Sequence, residues 1–322
     1  MRALITGGAG FIGSHLSDRL LEEGDEVTVL DDLSTGRFEN IAHLEEREEF
    51  TFIEGTILNE ALVDKLVEKV DVIYHLAAAV GVDLIVKKPL ESLTTNIKGS
   101  EIVLEMAHRY HKKLLITSTS EIYGKNTNGP LKEDDDRILG SPLKTRWGYS
   151  TAKAVDEMLA YIYWKEKKVP TVIVRLFNTV GPRQTGYYGM VIPRFVNQAL
   201  KGEDITVYGN GKQSRCFLFV MDAVNAIIKL MNNKDAVGNV FNIGSQEEIT
   251  IEDLAKKIVK ITKSRSKIVY IPYDQAYEEG FEDMQRRIPD TGKIKGLVGF
   301  SPTISLDKII QSVVQYTLET NI

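Results

Sequence analysis

The chain has 322 residues, of which 43% are hydrophobic and 26% are charged, and its formal net charge is -5 at pH 7. This balance is typical of a globular protein and excludes a disordered or fibrous chain. The mild acidity, without a long basic run, excludes an electrostatic footprint for nucleic acid or for an anionic membrane surface, so we expect neither as a partner.

The first half of the chain alternates short runs of β-branched residues with helical stretches. Its predicted strands span residues 2–6, 26–30, 50–53, 70–75, 113–117 and 171–176. Its predicted helices span residues 11–23, 62–69, 89–110 and 147–167. Because such alternation is typical of a parallel sheet with helices on both faces, we expect an α/β fold with a Rossmann-type doubly wound parallel sheet.

The pattern changes after residue 178 to segments rich in Gly, Pro and Tyr. The elements predicted there are a helix over 191–201, a strand over 205–208, a return to the main sheet over 217–232 and 240–243, and two amphipathic helices within 249–322. We therefore expect a smaller, interleaved α/β substrate domain. The predicted dinucleotide-binding domain comprises residues 1–177 and about 216–243, and the predicted substrate domain comprises residues 178–215 and 244–322.

A glycine-rich turn follows the first predicted strand, and a helix begins inside it, in the string TGGAGFIG at residues 6–13. Gly7 permits a tight turn, Gly10 lets backbone amides approach a pyrophosphate, and Gly13 allows the helix to lie close to the strand. The helix N-terminus then faces the phosphates with its partial positive charge. The turn therefore predicts a dinucleotide site.

The second predicted strand leads into Asp31 and Asp32, at the spacing where a carboxylate accepts hydrogen bonds from the adenosine ribose. Such a carboxylate repels a 2′-phosphate, which favours NAD over NADP as the cofactor. Arg37 follows a few residues later, and it leaves NADP open.

Tyr149 and Lys153 lie four residues apart on a predicted helix, so both project from one face. The Lys153 ammonium, together with a nicotinamide cation, is expected to lower the pKa of Tyr149 and make its phenolate a base for a sugar hydroxyl while hydride leaves to NAD. The fifth strand leads into Thr119, Ser120 and Glu121. Since open α/β sheets bind ligands where strands end, we expect these side chains near the substrate.

Seven strings span nearly the whole chain: TGGAGFIGSHL, the pair Asp31 and Asp32, HLAA at 75–78, STSEIYG at 118–124, YSTAK at 149–153, RLFNTVGPR at 175–183 and TVYGNGKQSRCF at 206–217. In these strings the chain resembles the extended short-chain dehydrogenase/reductases of the nucleotide-sugar epimerase and dehydratase type. The resemblance implies that Thr119 hydrogen-bonds the reacting hydroxyl, Tyr149 is the base, and Lys153 also holds the nicotinamide ribose.

The same resemblance implies two sets of binding residues. The expected NAD site comprises Gly7, Gly10, Phe11, Ile12, Gly13, Asp31, Asp32, Ser34, Thr35, Gly36, Thr56, Ile57, Leu76, Ala77, Ala78, Asn96, Thr117, Tyr149, Lys153 and Leu176. The residues expected to face the nucleoside diphosphate are Asn178, Val191, Arg194, Tyr208, Arg215 and Arg287. Their chemistry agrees, since arginines pair with a pyrophosphate and an aromatic ring packs against a base.

One departure from the family pattern falls at Gly55-Thr56-Ile57, where many relatives carry Gly-Asp-Ile or Gly-Asp-Val. The usual adenine contact through a carboxylate is therefore missing from this string. We expect no metal site, because His108 and His111 have no third ligand nearby in the sequence.

Glu121 is the residue from which the reaction is inferred. Enzymes of this type oxidise the sugar at C4, after which the C5 proton is acidic and a carboxylate can remove it as water leaves C6. The matching position is usually not acidic in 4-epimerases, whereas a glutamate after Thr-Ser resembles both GDP-mannose 4,6-dehydratases and UDP-glucuronate decarboxylases. The decarboxylases typically carry Tyr-Asp-Glu-Gly-Lys where this chain has Tyr-Ser-Thr-Ala-Lys.

We therefore expect 4,6-dehydration of a UDP-hexose such as UDP-N-acetylglucosamine. Epimerisation of a UDP-sugar at C4 or C5 is the next alternative, followed by UDP-glucuronate decarboxylation. A noncatalytic NAD-binding regulator is the alternative from a different class, since a fold alone does not fix function.

The helix after Tyr149 carries an apolar stripe, composed of Val155, Met158, Leu159, Ile162 and Tyr163. In the resembled family this helix and the one over 91–110 pair with their copies, so we expect a homodimer. Cys216 is the single cysteine and requires no oxidising compartment, and glycines interrupt the apolar N-terminal stretch before it resembles a signal peptide. We therefore expect a cytoplasmic protein.

Overall fold

The computed structural model describes residues 1–79, 88–186, 190–276 and 284–320. The strands are β1 (Arg2–Thr6), β2 (Glu26–Asp31), β3 (Phe50–Glu54), β4 (Val72–His75), β5 (Lys113–Thr119), β6 (Thr171–Leu176), β7 (Thr179–Val180), β8 (Ile205–Tyr208), β9 (Ser214–Cys216), β10 (Leu218–Phe219), β11 (Val240–Ile243), β12 (Glu248–Thr250), β13 (Ile268–Ile271) and β14 (Arg286–Arg287). The α-helices are α1 (Phe11–Glu22), α2 (Glu60–Lys69), α3 (Pro89–Arg109), α4 (Gly148–Lys167), α5 (Val191–Lys201), α6 (Val220–Met231), α7 (Ile251–Thr262), α8 (Tyr273–Ala276), α9 (Gly292–Val298) and α10 (Leu306–Thr320).

Seven strands form one sheet in the order β11-β6-β5-β4-β1-β2-β3, and every neighbouring pair is parallel. Successive side chains of a strand point to opposite faces, and here both faces are apolar and buried. On β1, Ile5 packs into one apolar cluster and Leu4 into another. The order runs outward from β1 in both directions, which confirms the predicted Rossmann-type doubly wound sheet.

The observed elements of the first half differ from the predicted ones only at their ends. α2 begins at Glu60 because the side chain of Asn59 caps it, accepting a hydrogen bond from the Leu62 N–H at 3.2 Å. β4 begins only at Val72, and the side chain of Asp71 just before it pairs with Arg2 at 2.6 Å.

The later strands form small sheets: β10 pairs with β7, β13 pairs with β8, and β9 lies between β12 and β14. A third apolar cluster joins α5, α7 and α10, with Ile192, Leu254 and Ile310 fully buried. In contrast, α6 packs against α1, and β11 pairs with β6 at the edge of the seven-stranded sheet. The chain therefore returns to the main sheet after β10. The exact division into two domains stays a prediction.

Within the described ranges, none of the helices has the length and apolar character needed to cross a membrane. The same ranges contain no cluster of three or more His, Cys, Asp or Glu side chains that could hold a metal ion.

Candidate active site

A cavity of about 610 Å³ lies where several strands of the main sheet end. Its lining includes Gly7 after β1, Asp31 at the end of β2, Leu76 after β4, Thr119 at the end of β5 and Leu176 at the end of β6. Doubly wound sheets bind their ligands at this edge, because loops from neighbouring strands meet there. The predicted glycine turn and the predicted catalytic segments therefore share one cavity.

The glycine turn after β1 is shaped by close backbone approaches. A Cβ atom at Gly7 would lie 2.6 Å from the backbone nitrogen of Ala77, and one at Gly13 would lie 2.2 Å from the carbonyl oxygen of Gly7. Gly7 also has a φ of +74°, a conformation that favours glycine. The start of α1 lines the cavity, so its N–H groups and positive dipole end suit the pyrophosphate of NAD.

Asp31 lies at the same end of the cavity, where it is 7% exposed. Its carboxylate accepts hydrogen bonds from the N–H groups of Ala9 and Leu33, both at 2.9 Å. Burial raises the pKa of Asp31, and these backbone hydrogen bonds oppose that rise. Asp32 and Arg37 line the wall beside it, so this end carries charges of both signs.

Tyr149 lies in the first turn of α4, is 7% exposed, and lines the cavity with Thr119, Ser120 and Glu121. Burial raises the pKa of the Tyr149 phenol, and the charges of Glu121 and Asp156 raise it further. We predicted a lowered pKa from Lys153 together with a nicotinamide cation, so that prediction concerns the NAD-bound protein and stays a prediction, whereas without NAD the pKa is raised. The physical reason is that burial and two carboxylates favour the neutral phenol.

Lys153 is buried and stands outside the lining of the cavity. Its ammonium lies 3.1 Å from Oδ2 of Asp156, three residues further along α4, and the two side chains are 2% and 0% exposed. Lys153 thus lies one turn from Tyr149, as its spacing predicts. The charge of its ammonium is balanced by the carboxylate of Asp156, which was not predicted as a site residue.

Glu121 follows β5, and Arg146 from the turn before α4 donates to both of its carboxylate oxygens, at 2.7 and 3.1 Å. Nη1 of Arg287 lies 3.8 Å from Oε1 of the same carboxylate. Burial alone would raise the pKa of Glu121, but the charges of Arg146, Arg287 and Arg215 outweigh burial and hold that pKa below its usual value. Glu121 is therefore an ionised carboxylate beside a neutral phenol.

All six residues expected to face the nucleoside diphosphate line the cavity: Asn178, Val191, Arg194, Tyr208, Arg215 and Arg287. The Arg194 guanidinium lies 4.1 Å from the centroid of the Tyr208 ring. Arg287 donates to the side-chain oxygen of Asn178 at 3.1 Å. Guanidinium groups gathered in this way suit a pyrophosphate, and the role of each residue stays a prediction.

Four predicted residues lie outside the lining of the cavity: Gly36, Thr56, Asn96 and Lys153. Asn96 instead accepts a hydrogen bond from the Ala79 N–H at 2.8 Å, so it fixes the segment after β4. Gly36 lies behind the carboxylate of Asp31, where a Cβ atom would come within 2.8 Å of Oδ1. Thr56 accepts a hydrogen bond from a backbone N–H two residues further on.

Other lining residues were not assigned from the sequence, among them Arg146, Arg183, Gln213 and Tyr273. Arg183 and Gln213 belong to strings that carry the family resemblance, so their signal was present. Arg146 precedes Tyr149 by three residues but reveals its role only through its contact with Glu121. Tyr273 has no sequence signal, and its ring lies where a side chain on Gly209 would collide with it.

Residues 4–313 match the family model described as GDP-mannose 4,6 dehydratase. The chain is 42% identical to the UDP-N-acetyl-alpha-D-glucosaminuronate decarboxylase of Bacillus cytotoxicus, over 99% of this chain and 98% of that one. It is 40% identical to the UDP-glucuronic acid decarboxylase 1 of Danio rerio, over 98% of this chain and 72% of that one. Among solved structures it resembles the UDP-glucuronic acid 4-epimerase from Bacillus cereus in complex with UDP-glucuronic acid and NAD, with a TM-score of 0.90 and 31% identity over 99% of this chain and 100% of that one.

Proposed function

The chain belongs to the GDP-mannose 4,6-dehydratase family and is an NAD-dependent enzyme that modifies nucleotide sugars, and we propose that it removes CO2 from a UDP-uronic acid. The observation that carries this proposal is the similarity over nearly the whole chain to decarboxylases of UDP-uronic acids. The state of Glu121 agrees with it, since a carboxylate that Arg146 holds in its charged form is a poor acid. Of the carboxylates in the described lining, Glu121 is the one whose charge acts on Tyr149.

Dehydration requires a base for the C5 proton and an acid for the departing C6 hydroxyl. A carboxylate whose pKa is lowered can be a base, but it is a poor acid. Decarboxylation needs neither group. Once C4 is a ketone, the bond between C5 and the carboxylate breaks, its electron pair moves into the C4 carbonyl, and CO2 leaves. C5 then takes a proton from solvent, which gives a UDP-4-keto-pentose. Return of the hydride to C4 and of the proton to its oxygen completes the reaction, so that overall the UDP-uronate and one proton become CO2 and a UDP-pentose.

NAD, when bound, accepts hydride from C4 and later returns it. In our proposal the Tyr149 oxygen takes the proton of the C4 hydroxyl during the oxidation and gives it back at the end. The Thr119 hydroxyl, which lines the cavity at the end of β5, hydrogen-bonds the same sugar oxygen. Arg146 and Arg287 offset the charge of Glu121, so that the sugar carboxylate can approach it with less repulsion.

The Tyr-Ser-Thr-Ala-Lys string counted against decarboxylation in the sequence, but its three middle residues lie outside the described lining of the cavity. Ser150 donates to the carbonyl of Glu121 at 2.8 Å, and Thr151 donates to the carbonyl of Trp147 at 2.9 Å. Ala152 is fully buried. Ser150 and Thr151 are thus engaged by backbone carbonyls and Ala152 lies in the core, so the identities of these residues carry little information about the reaction.

Dehydration is the second candidate, because the family is named for that reaction and the ionised Glu121 can act as a base at C5. Purified protein with NAD is to be incubated separately with UDP-glucuronate, UDP-N-acetylglucosaminuronate and UDP-N-acetylglucosamine, each uronate carrying an isotopic label in its carboxylate. We expect labelled CO2 and a UDP-pentose from a uronate, detected by NMR. A 4-keto-6-deoxy sugar from the third compound would establish dehydration instead, and a C4 epimer that keeps its carboxylate would establish epimerisation.

A further inference from the structure

One turn beyond Tyr149, α4 carries a buried ion pair between Lys153 and Asp156 at 3.1 Å, with side chains that are 2% and 0% exposed. Their spacing of three residues places both on one face of the helix. Removing one member of a buried pair leaves an uncompensated charge, which is strongly unfavourable. The position of the Lys153 ammonium is therefore set by the carboxylate of Asp156.

The other charged groups around this pair have partners of their own. Glu157, next to Asp156, pairs with Arg175 at 2.8 Å, and Glu121 pairs with Arg146 at 2.7 Å. His75 on β4 is fully buried, and burial lowers its pKa to about 3, so it is neutral near pH 7. Burial raises the pKa of Asp156, and the charge of Lys153 and, to a smaller extent, the Ser100 hydroxyl on α3 oppose that rise.

We propose that Asp156 is a positioning residue for the C4 oxidation: its buried carboxylate fixes the Lys153 ammonium one helical turn beyond Tyr149 and balances its charge there. The proposal rests on the part of the proposed function that dehydration, epimerisation and decarboxylation share, the proton transfer from C4 to Tyr149. It does not depend on the loss of CO2.

The sign of the effect follows from the charges. Burial, Glu121 and Asp156 all raise the pKa of Tyr149. Asp156→Asn removes one negative charge, keeps nearly the same shape and leaves the Lys153 ammonium uncompensated, and both changes favour the phenolate, so the Tyr149 phenol loses its proton at a lower pH. A buried charge close to an ionisable group shifts the pKa of that group appreciably, and we expect the acid limb of the rate profile to move down by about one pH unit.

The first measurement is the pH dependence of NADH formation after NAD-loaded protein is mixed with UDP-glucuronate or UDP-N-acetylglucosaminuronate. Asp156→Asn should move the acid limb downward, whereas Asp156→Glu, which keeps the charge, should restore its position. Glu157→Gln is the matched control, because it converts a neighbouring buried carboxylate that pairs with Arg175. We expect that variant to lose stability and to keep the limb in place.

The second measurement needs no turnover. The ultraviolet absorbance of phenolate is titrated in NAD-bound protein, and the same titration of Tyr149→Phe is subtracted, with and without Asp156→Asn. The Tyr149 signal should appear at a lower pH when Asp156 is neutral. A shift here without NADH formation from any UDP-sugar would reject the proposed function and support the role of Asp156.

Should Asp156→Asn fail to fold, Ser100→Ala provides the test, since it removes the hydroxyl that favours the charged form of Asp156. It should move the limb and the phenolate titration in the same direction by a smaller amount. The proposal is wrong if, in the folded variants, neither the phenolate titration of Tyr149 nor the acid limb of the rate profile moves. Asp156 is then a packing residue.

Discussion

Arg146 and Glu121 form a bidentate ion pair, with hydrogen bonds of 2.7 and 3.1 Å. The pair connects the turn before α4 to the segment after β5. Both side chains are largely buried, with 7% and 15% exposed. Paired hydrogen bonds between a guanidinium and a carboxylate fix orientation as well as charge. The pair therefore sets the relative position of Glu121 and Tyr149, the two groups nearest the proposed chemistry.

Glu121→Gln should separate the two halves of the reaction. The amide keeps the shape but leaves Arg146 and Arg287 without the charge that they offset, so both guanidiniums would stabilise the sugar carboxylate against leaving. Removal of a charge about 4 Å away changes an interaction by several kcal/mol, and we expect CO2 release to fall on the order of 100-fold or more. NADH should still form, because C4 oxidation depends on Tyr149.

The measurement follows NADH absorbance and labelled CO2 in the same reaction. Asp64→Asn is the control, since Asp64 pairs with Arg109 at 2.7 Å on the surface and away from the cavity. Equal losses of NADH formation and CO2 release in Glu121→Gln would contradict the role assigned to Glu121.

Tyr149→Phe should abolish C4 oxidation while leaving the cofactor bound. Loss of a positioned general base typically reduces a rate by about 100-fold to 10,000-fold. Rapid mixing with a UDP-uronate should therefore give no NADH burst, although calorimetry should show NAD binding. Tyr123→Phe is the matched control, because the Tyr123 hydroxyl is bonded to Asn242 and Arg175 within the core. That variant should lose stability and keep its burst.

The sheet and the glycine turn were predictable from the sequence because their signals are local. Runs of β-branched residues separated by helical stretches specify parallel strands, and the steric requirement at Gly7 and Gly13 is met by few residues other than glycine. The cavity that joins Thr119, Glu121 and Tyr149 follows from the same rules, since strand ends of a parallel sheet meet at one edge.

The electrostatics of the site were not predictable in the same way. Glu121 and Arg146 are separated by 25 residues, and their contact arises only when β5 and α4 pack. The spacing of Lys153 and Asp156 is visible in the sequence, but an exposed ion pair has the same spacing. Only the structure shows that this pair is buried, and burial is what makes its electrostatic effect large. The rise in the Tyr149 pKa that burial and these carboxylates cause without NAD was therefore not predicted from the sequence, and the lowered pKa expected with NAD bound stays a prediction.

Gly13→Ala should weaken NAD binding. The new Cβ would lie 2.2 Å from the Gly7 carbonyl oxygen and 2.7 Å from the Gly8 Cα, and backbone atoms cannot move aside as a flexible side chain can. Overpacking of this kind typically costs about 1 to 3 kcal/mol, and we expect the NAD dissociation constant to rise by about tenfold or more in calorimetric titrations. Gly296→Ala in α9, where no heavy atom lies within 4 Å, should leave NAD binding unchanged.

Two buried histidines should make the fold sensitive to mild acid. Burial lowers the pKa of His75 to about 3 and that of His15 to about 4. The unfolded chain binds protons at these rings below about pH 6.5 and the folded chain does not, so stability is lost as pH falls from there towards each folded value. Between pH 6.5 and pH 5 each ring removes about 2 kcal/mol from the free energy of unfolding.

Denaturant unfolding at about pH 7 and about pH 5 tests this dependence. His75→Asn should show a smaller loss between the two pH values than the unchanged chain, whereas replacement of the exposed His111 by Asn should show the full loss. The same loss in His75→Asn as in the unchanged chain would contradict the assignment to His75.

The predicted homodimer has a definite surface to test. Of the apolar stripe on α4, Leu159 and Tyr163 pack against the core, while Met158 is 62% exposed and Ile162 is 39% exposed. Tyr161 adjoins them at 44% exposed, so the outward part of α4 presents three large apolar side chains. We expect sedimentation to give twice the chain mass of 36.1 kDa.

Met158→Glu should convert that dimer to a monomer, because a carboxylate in an apolar interface loses its hydration without gaining a partner. Leu318→Glu on α10 is matched to it, since Leu318 is 61% exposed, and it should leave the mass at that of the dimer. A dimer that survives Met158→Glu would place the interface elsewhere. A monomer in the unchanged chain would show that these side chains face solvent, and CO2 release measured on it would then report on a complete site within one chain.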